Sequence, residues 1–178
     1  MTTANENAVA IERLALPASE ADLRRLADLL MDAVMSGAAV SFMDSLTNER
    51  AMAWWRDTTT NASSRAIFLV ARDAEGIVAS VQVHPAWAPN QPDRGDLVKL
   101  LVHRRARGSG LGTALMRKIE EEARRSGYRL LTLDVKAGSV AEELYRKVGW
   151  TYVGTIPRYA YDPDGTPHGA SIYYRELT

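Results

Sequence analysis

The stretch HRRARGSGLGTALM, His103–Met116, decides how the chain is read. A basic run gives way to glycines at 108, 110 and 112 and then at once to helix formers. Glycines lack a Cβ and let an anion approach the main chain, while the free N–H groups and dipole of a helix start attract it. One reading is therefore a phosphate-binding loop; the other is a glycine-rich turn beside a solvated arginine cluster. Two common phosphate loops fail on spacing. A Walker A loop needs Lys then Ser or Thr after its last glycine, and here Gly112 is followed by Thr113 and Ala114. A dinucleotide fingerprint needs Gly-x-Gly-x-x-Gly, whereas these glycines alternate and come late in the chain.

Reading outward, DLVKLLVH (96–103) is an apolar strand that runs into the loop. After the loop, Leu111, Leu115, Ile119 and Ala123 form one helical stripe that stops at Gly127. YRLLTLDV (128–135) is the next strand, and Ser139 with Glu142 is a capping box for a short helix through Val148. WTYVGTIP and GASIYYREL close the chain as an antiparallel pair across YDPDGTPH.

Towards the N-terminus, VAIERLAL is a strand stopped by Pro17, and Ser19 caps a helix carrying Leu23, Leu26, Ala27, Leu30 and Val34. A second helix is expected from about Thr47 through Trp54 and Trp55 to the polar TTTNASS loop. RAIFLVARD and GIVASVQVH form a hairpin, and the proline-rich PAWAPNQPDRG that follows is expected to be extended. The order β-α-α-β-β-β-α-β-α-β-β describes an α/β (α+β) domain on a central mixed sheet.

Composition narrows the function. The 178 residues are 46% hydrophobic and 25% charged, which suits one domain, residues 1–178, with residues 1–8 as a flexible leader. Lys plus Arg and Asp plus Glu both total 22, so no broad attraction to nucleic acid or membrane is expected. The absence of cysteine excludes disulfides and thiolate catalysis. No signal segment or spanning run is evident, giving a cytoplasmic expectation. His84, His103 and His168 lack metal-ligand spacing, so no metal is expected. Trp54, Trp55 and Trp87 are read as packing residues, and EEEARRSG as a solvated helix face.

VKLLVHRRARGSGLGTALM resembles the acetyl-CoA-binding motif of the GNAT family of N-acetyltransferases, with Arg107, Gly110 and Gly112 in register. Downstream, VAEELYRKVGW resembles the family's second signature through Ala141, Leu144, Tyr145, Lys147, Gly149 and Trp150. The resemblance implies the GNAT fold, a strongly twisted mixed sheet of about seven strands flanked by four helices. It also implies acetyl-CoA as donor, held by Leu100, Leu101, Val102, Arg107, Gly108, Ser109, Gly110, Leu111, Gly112, Thr113, Ser139, Ala141 and Lys147. The amides at 100–102 are expected to polarise the thioester carbonyl. Many members carry an asparagine where this chain has about Gly138, and Ser139 is the expected substitute.

Acetyl transfer to an amine needs a neutral nucleophile and a proton for the leaving thiolate. An alkyl ammonium with pKa near ~10 must first lose a proton. If their strands are parallel, Asp96 and Asp134 would lie at neighbouring strand ends, as candidate bases or ammonium holders. The resemblance gives Tyr145 the role of general acid and makes Phe42, Met43 and Asp44 the acceptor wall. GAAVSFMDSL, LDVKAGSVAEELY and VGTIPRYAYDPDGTPHGASIYY resemble the tabtoxin-resistance branch of the family. The implied partner is a small-molecule primary amine of an amino-acid-like toxin or antibiotic, attacked directly in a ternary complex by a monomer or homodimer. The competing readings are acetylation of protein N-termini or lysines, and a non-catalytic acyl-CoA-binding module.

Overall fold

The computed structural model describes residues 9–178, so the leader at 1–8 lies outside the described residues. In chain order the elements are β1 (Ala10–Arg13), α1 (Glu20–Met35), α2 (Asn48–Thr60), β2 (Ile67–Asp73), β3 (Gly76–Pro85), β4 (Arg94–Val102), α3 (Leu111–Arg125), β5 (Leu130–Lys136), α4 (Val140–Lys147), β6 (Thr151–Tyr161) and β7 (Pro167–Glu176). A short 3-10 turn at Arg104–Ala106 links β4 to the glycine loop. The seven strands form one sheet in the order β1-β2-β3-β4-β5-β7-β6. Every pairing is antiparallel except β4 with β5.

Helices cover both faces, which explains why β2 and β3 read as nearly unbroken apolar runs. On one face Leu23, Leu26 and Leu30 of α1 and Trp55 of α2 pack on Phe68, Val70 and Leu101. On the other, Leu115, Ile119 and Ala123 of α3 pack on Leu69, Val81, Leu131 and Tyr173. The helix caps at Ser19, Thr47 and Ser139 each accept a backbone N–H three residues on.

Two features of β4 shape the molecule. It pairs with β5 over three positions only, Arg94 with Leu130, Gly95 with Leu131 and Asp96 with Thr132. β5 in contrast stays paired to β7 along its whole length, from Leu130 to Lys136. On its other side β4 carries a bulge: Gln82 pairs with Val98 but Ser80 with Leu101, leaving an extra residue at Lys99, whose φ is 53°. A bulge bends its strand. Ser80 Oγ donates to the Lys99 carbonyl at 3.1 Å and fixes the kink. From Leu97 onward β4 therefore leaves β5, and a cleft opens between them.

Three expectations need correcting. The TTT of TTTNASS belongs to α2, because Thr59 is buried and its hydroxyl bonds back to the Arg56 carbonyl at 3.3 Å. Trp87 is not a packing residue; it stands 90% exposed on the loop after β3, while Trp55 is fully buried. Asp96 and Asp134 are not at neighbouring strand ends, because the register sets Asp96 against Thr132, two residues short.

Gly95 is the tight point where β4 is still clasped. A Cβ there would meet Val83 Cγ1 at 2.7 Å and Tyr128 Cε1 at 3.0 Å, whereas one at Gly154 on β6 would meet nothing within 4 Å. Gly95→Ala is expected to lower unfolding free energy by about 1–3 kcal/mol in urea melts, with Gly154→Ala near neutral.

Candidate active site

The glycine loop leaves the start of α3 bare. Gly110 occupies the cap position at φ 82°, a left-handed conformation that favours glycine, and supplies no side chain. The other three helices have a hydroxyl cap and at least one acid in the first turn; α3 has neither. Its leading amides, at Leu111, Gly112 and Thr113, are thus left for an anion. Gly112 serves packing: a Cβ there would come within 3.1 Å of Leu144 Cδ2, so the glycine lets α3 lie close to α4.

Asp32 of α1 anchors this loop from below. The buried carboxylate accepts from the Arg104 amide at 2.9 Å, from the Arg104 guanidinium, and from Arg107 Nη2 at 3.4 Å. Burial alone would raise its pKa, but the hydrogen bonds from Arg104 and the charges of His103 and Arg104 outweigh that and hold it below the ordinary range. Arg107 also donates to the Val102 carbonyl at 3.0 Å and to Ser36 Oγ at 3.3 Å. Ser109 Oγ donates to the Ala106 carbonyl at 2.7 Å. The Arg107 and Ser109 side chains therefore hold the loop's shape, leaving its main chain to face a ligand.

Across the cleft, α4 is fixed by Glu142, which accepts from the Gly138 amide at 2.6 Å, Tyr173 Oη at 2.8 Å and Arg146 at 2.7 Å. Ser139 Oγ accepts from the Glu142 amide at 3.2 Å, so one of its two lone pairs is engaged in capping and its O–H is left to donate. Tyr145 is buried, its ring centroid 6.0 Å from that of Trp150 and 6.4 Å from that of Tyr173. Burial, reinforced by the negative charge of Asp134, pushes its phenol pKa well up. Ala141 and Lys147 lie on the exposed side of α4. Lys147 joins Thr113, Arg117, Glu120 and Arg175 around a depression of about 250 Å³ between α3 and α4, where Glu120 pairs with Arg175 at 3.5 Å and leaves Lys147 and Arg117 as the cations available to a phosphate.

The two aspartates differ in how far they are engaged. Asp96 accepts from Arg94 and, at 2.6 Å, from Thr132 Oγ1, at the last joined pair of β4 and β5. Asp134 lies two residues past that junction, exposed, level with the open part of the cleft. Leu100, Leu101 and Val102 form the facing edge of β4, which has no partner on the β5 side among the described residues.

The α1–α2 loop overhangs this space. Phe42 stands edge-on to Trp54 at 5.4 Å, Met43 is exposed, and the Asp44 amide donates to the Pro163 carbonyl at 3.1 Å, tying the loop to the β6–β7 turn. Residues that the sequence did not single out join them. Lys99 Nζ lies over Phe42 and Trp54, and His84 Nε2 is 2.7 Å from Gln82 Oε1, opposite Asp96 in register. Burial pushes the His84 imidazole pKa down, against the pull of Asp96. The usable signals were a single lysine inside an apolar run and a histidine at the end of an apolar strand.

Residues 24–150 match the model of the acetyltransferase (GNAT) family, and the chain belongs to that family. A curated relative, the L-methionine sulfoximine/L-methionine sulfone acetyltransferase of Pseudomonas aeruginosa, is 29% identical over 143 residues, covering 79% of this chain and 81% of its own. Its counterpart in Pseudomonas paraeruginosa is 28% identical over 137 residues, covering 70% of this chain and 78% of its own. Among solved structures, a GCN5-related N-acetyltransferase from Kribbella flavida superposes with a TM-score of 0.77 at 25% identity, over 96% of this chain and 98% of that one. No helix among the described residues is long and apolar enough to cross a membrane.

Because the carboxyl pKa of Asp32 is lowered on folding, its contribution is present above the ordinary carboxylate range and is lost as pH falls through the lowered value. Asp32→Asn is expected to cost about 1–3 kcal/mol at neutral pH, with the gap from the parent closing in strongly acidic melts. A gap that is the same at every pH would remove the carboxylate from this anchoring role.

Proposed function

We propose that the protein transfers acetyl from acetyl-CoA to the primary amine of a small, amino-acid-like molecule, by direct attack in a ternary complex. The observation that supports this is the bare start of α3 beside the cleft where β4 and β5 part. The leading amides of α3, with the main chain at Gly108 and Gly110, receive the pyrophosphate. The thioester supplies the electrophilic acetyl group. Amides along Leu100–Val102 donate to its carbonyl oxygen and stabilise the charge that develops there.

Asp134 holds the acceptor's ammonium and takes its proton, directly or through water. Asp96, engaged with Arg94 and Thr132, keeps the floor of the cleft in place. The Tyr145 phenol donates to the departing sulfur. With its pKa raised, complete proton transfer to a thiolate is uphill, so it acts chiefly as a hydrogen-bond donor to the developing charge. Phe42, Met43 and Asp44 wall the acceptor side. Similarity to acetyltransferases of methionine sulfoximine and sulfone supports a small amino-acid-like acceptor, and with it a role in detoxification or resistance. The balanced net charge favours such an acceptor over a polybasic protein segment.

The test is thiol release from acetyl-CoA across a panel of amines. Tyr145→Phe should lower kcat by about 10²-fold or more with little change in acetyl-CoA affinity. No alkaline loss of kcat traceable to the phenol is expected below about pH 9, since it stays protonated there. Tight acetyl-CoA binding with no thiol release from any amine would make the protein a binding module instead.

A further inference from the structure

Lys99 is the one charged side chain in Leu97-Val98-Lys99-Leu100-Leu101-Val102. The bulge and the left-handed φ of 53° turn it out of the strand's alternation, towards the loop between α1 and α2. There Nζ donates to Ser41 Oγ at 3.2 Å and lies 5.7 Å from the Phe42 ring centroid and 5.3 Å from that of Trp54. Two aromatic faces and one hydroxyl hold a cation in place but neutralise none of its charge. An ammonium has three donors, so two remain for a ligand.

Among the described residues no carboxylate lies within ion-pairing distance of Nζ. The opposite charge acting on it is Asp134, on β5 across the cleft; burial pushes the lysine's pKa down and Asp134 pulls against that shift. The cleft is thus bordered by a cation on β4 and, on β5 just past the last joined pair, an exposed anion, with no ion pair between them. A charge largely removed from water and left unpaired is costly, and the cost is recovered when a ligand of opposite sign arrives. A molecule carrying an ammonium and a carboxylate a few bonds apart satisfies both at once.

We propose that Lys99 receives the carboxylate of the acceptor while Asp134 takes its ammonium, so that the acceptor class is free α-amino acids and their side-chain analogues. This rests on the acetyltransferase reading above and adds a requirement to it, an unblocked carboxylate beside the reacting amine. Peptide N-termini and simple alkyl amines lack that group. The bulge is what makes the arrangement possible, since in a regular strand the residue after Val98 would alternate onto the α3 face.

The test sets free L-α-amino acids, including L-methionine sulfone and L-methionine sulfoximine, against their carboxamides in the thiol-release assay, with the parent protein, Lys99→Met and Lys99→Arg. The parent should favour acid over carboxamide by at least about tenfold in kcat/KM, mostly through KM. Lys99→Met should bring that ratio close to one by raising KM for the acids, and Lys99→Arg should restore most of the preference. Thermal melts of each variant separate loss of recognition from loss of fold. A parent that acetylates carboxamides or polyamines as well as acids, or a Lys99→Met variant that keeps the preference, overturns the inference and leaves the acetyltransferase reading standing. No thiol release from any amine overturns both.

Discussion

The parting of β4 from β5 is the constraint on which the rest of the molecule depends. The two strands are clasped at Arg94–Asp96 and separate beyond, because β5 is held straight by seven pairs to β7 while β4 bends at Lys99. In an ordinary sheet the amides of Leu97–Val102 on that side would be spent on a neighbouring strand. Here they border the cleft where pairing has ended. Gly95 permits the clasp by letting Val83 and Tyr128 close over it. Thr132 and Arg94 fasten Asp96 at the point where pairing ends.

Charge is distributed about that cleft with a consistent logic. At the donor side, a helix start without cap or acid leaves positive potential uncompensated, while Asp32 consumes the arginine side chains that would otherwise crowd it. Along β3 and β4, Lys99 lies against Phe42 and Trp54, and His84 lies against Phe68 with Asp96 opposite it in register. Tyr145 is buried beside Trp150 and Tyr173, deep enough that its phenol stays protonated. The acyl transfer proposed above would use this separation, with anion-binding backbone on one side, amine-binding side chains on the other and a proton donor between.

Much of this was legible in the sequence, for local reasons. Caps at Ser19, Thr47 and Ser139 and the stripe Leu111, Leu115, Ile119, Ala123 are short-range signals, so the element order follows from them. The glycine loop was legible too, since left-handed φ at Gly108 and Gly110 demands that residue. Non-local facts were not. That β7 inserts between β5 and β6, and that Asp96 falls two residues short of Asp134, are set by pairing register. Lys99 carried no site role in the sequence reading because its exit depends on a bulge specified jointly by β3 and β4. Trp55 and Trp87 look alike in sequence, yet one is in the core and the other in solvent, since only the first lies on the inner face of a helix.

Amide hydrogen exchange with and without acetyl-CoA tests the central claim most directly. Slowed exchange is expected at Leu100–Val102 and at Gly108–Thr113 together, the two stretches of backbone left open by the parted strands and the uncapped helix, with β1 and β2 unchanged. Protection at neither stretch, despite saturating ligand, would contradict the assignment of this cleft as the place where the acetyl donor is held.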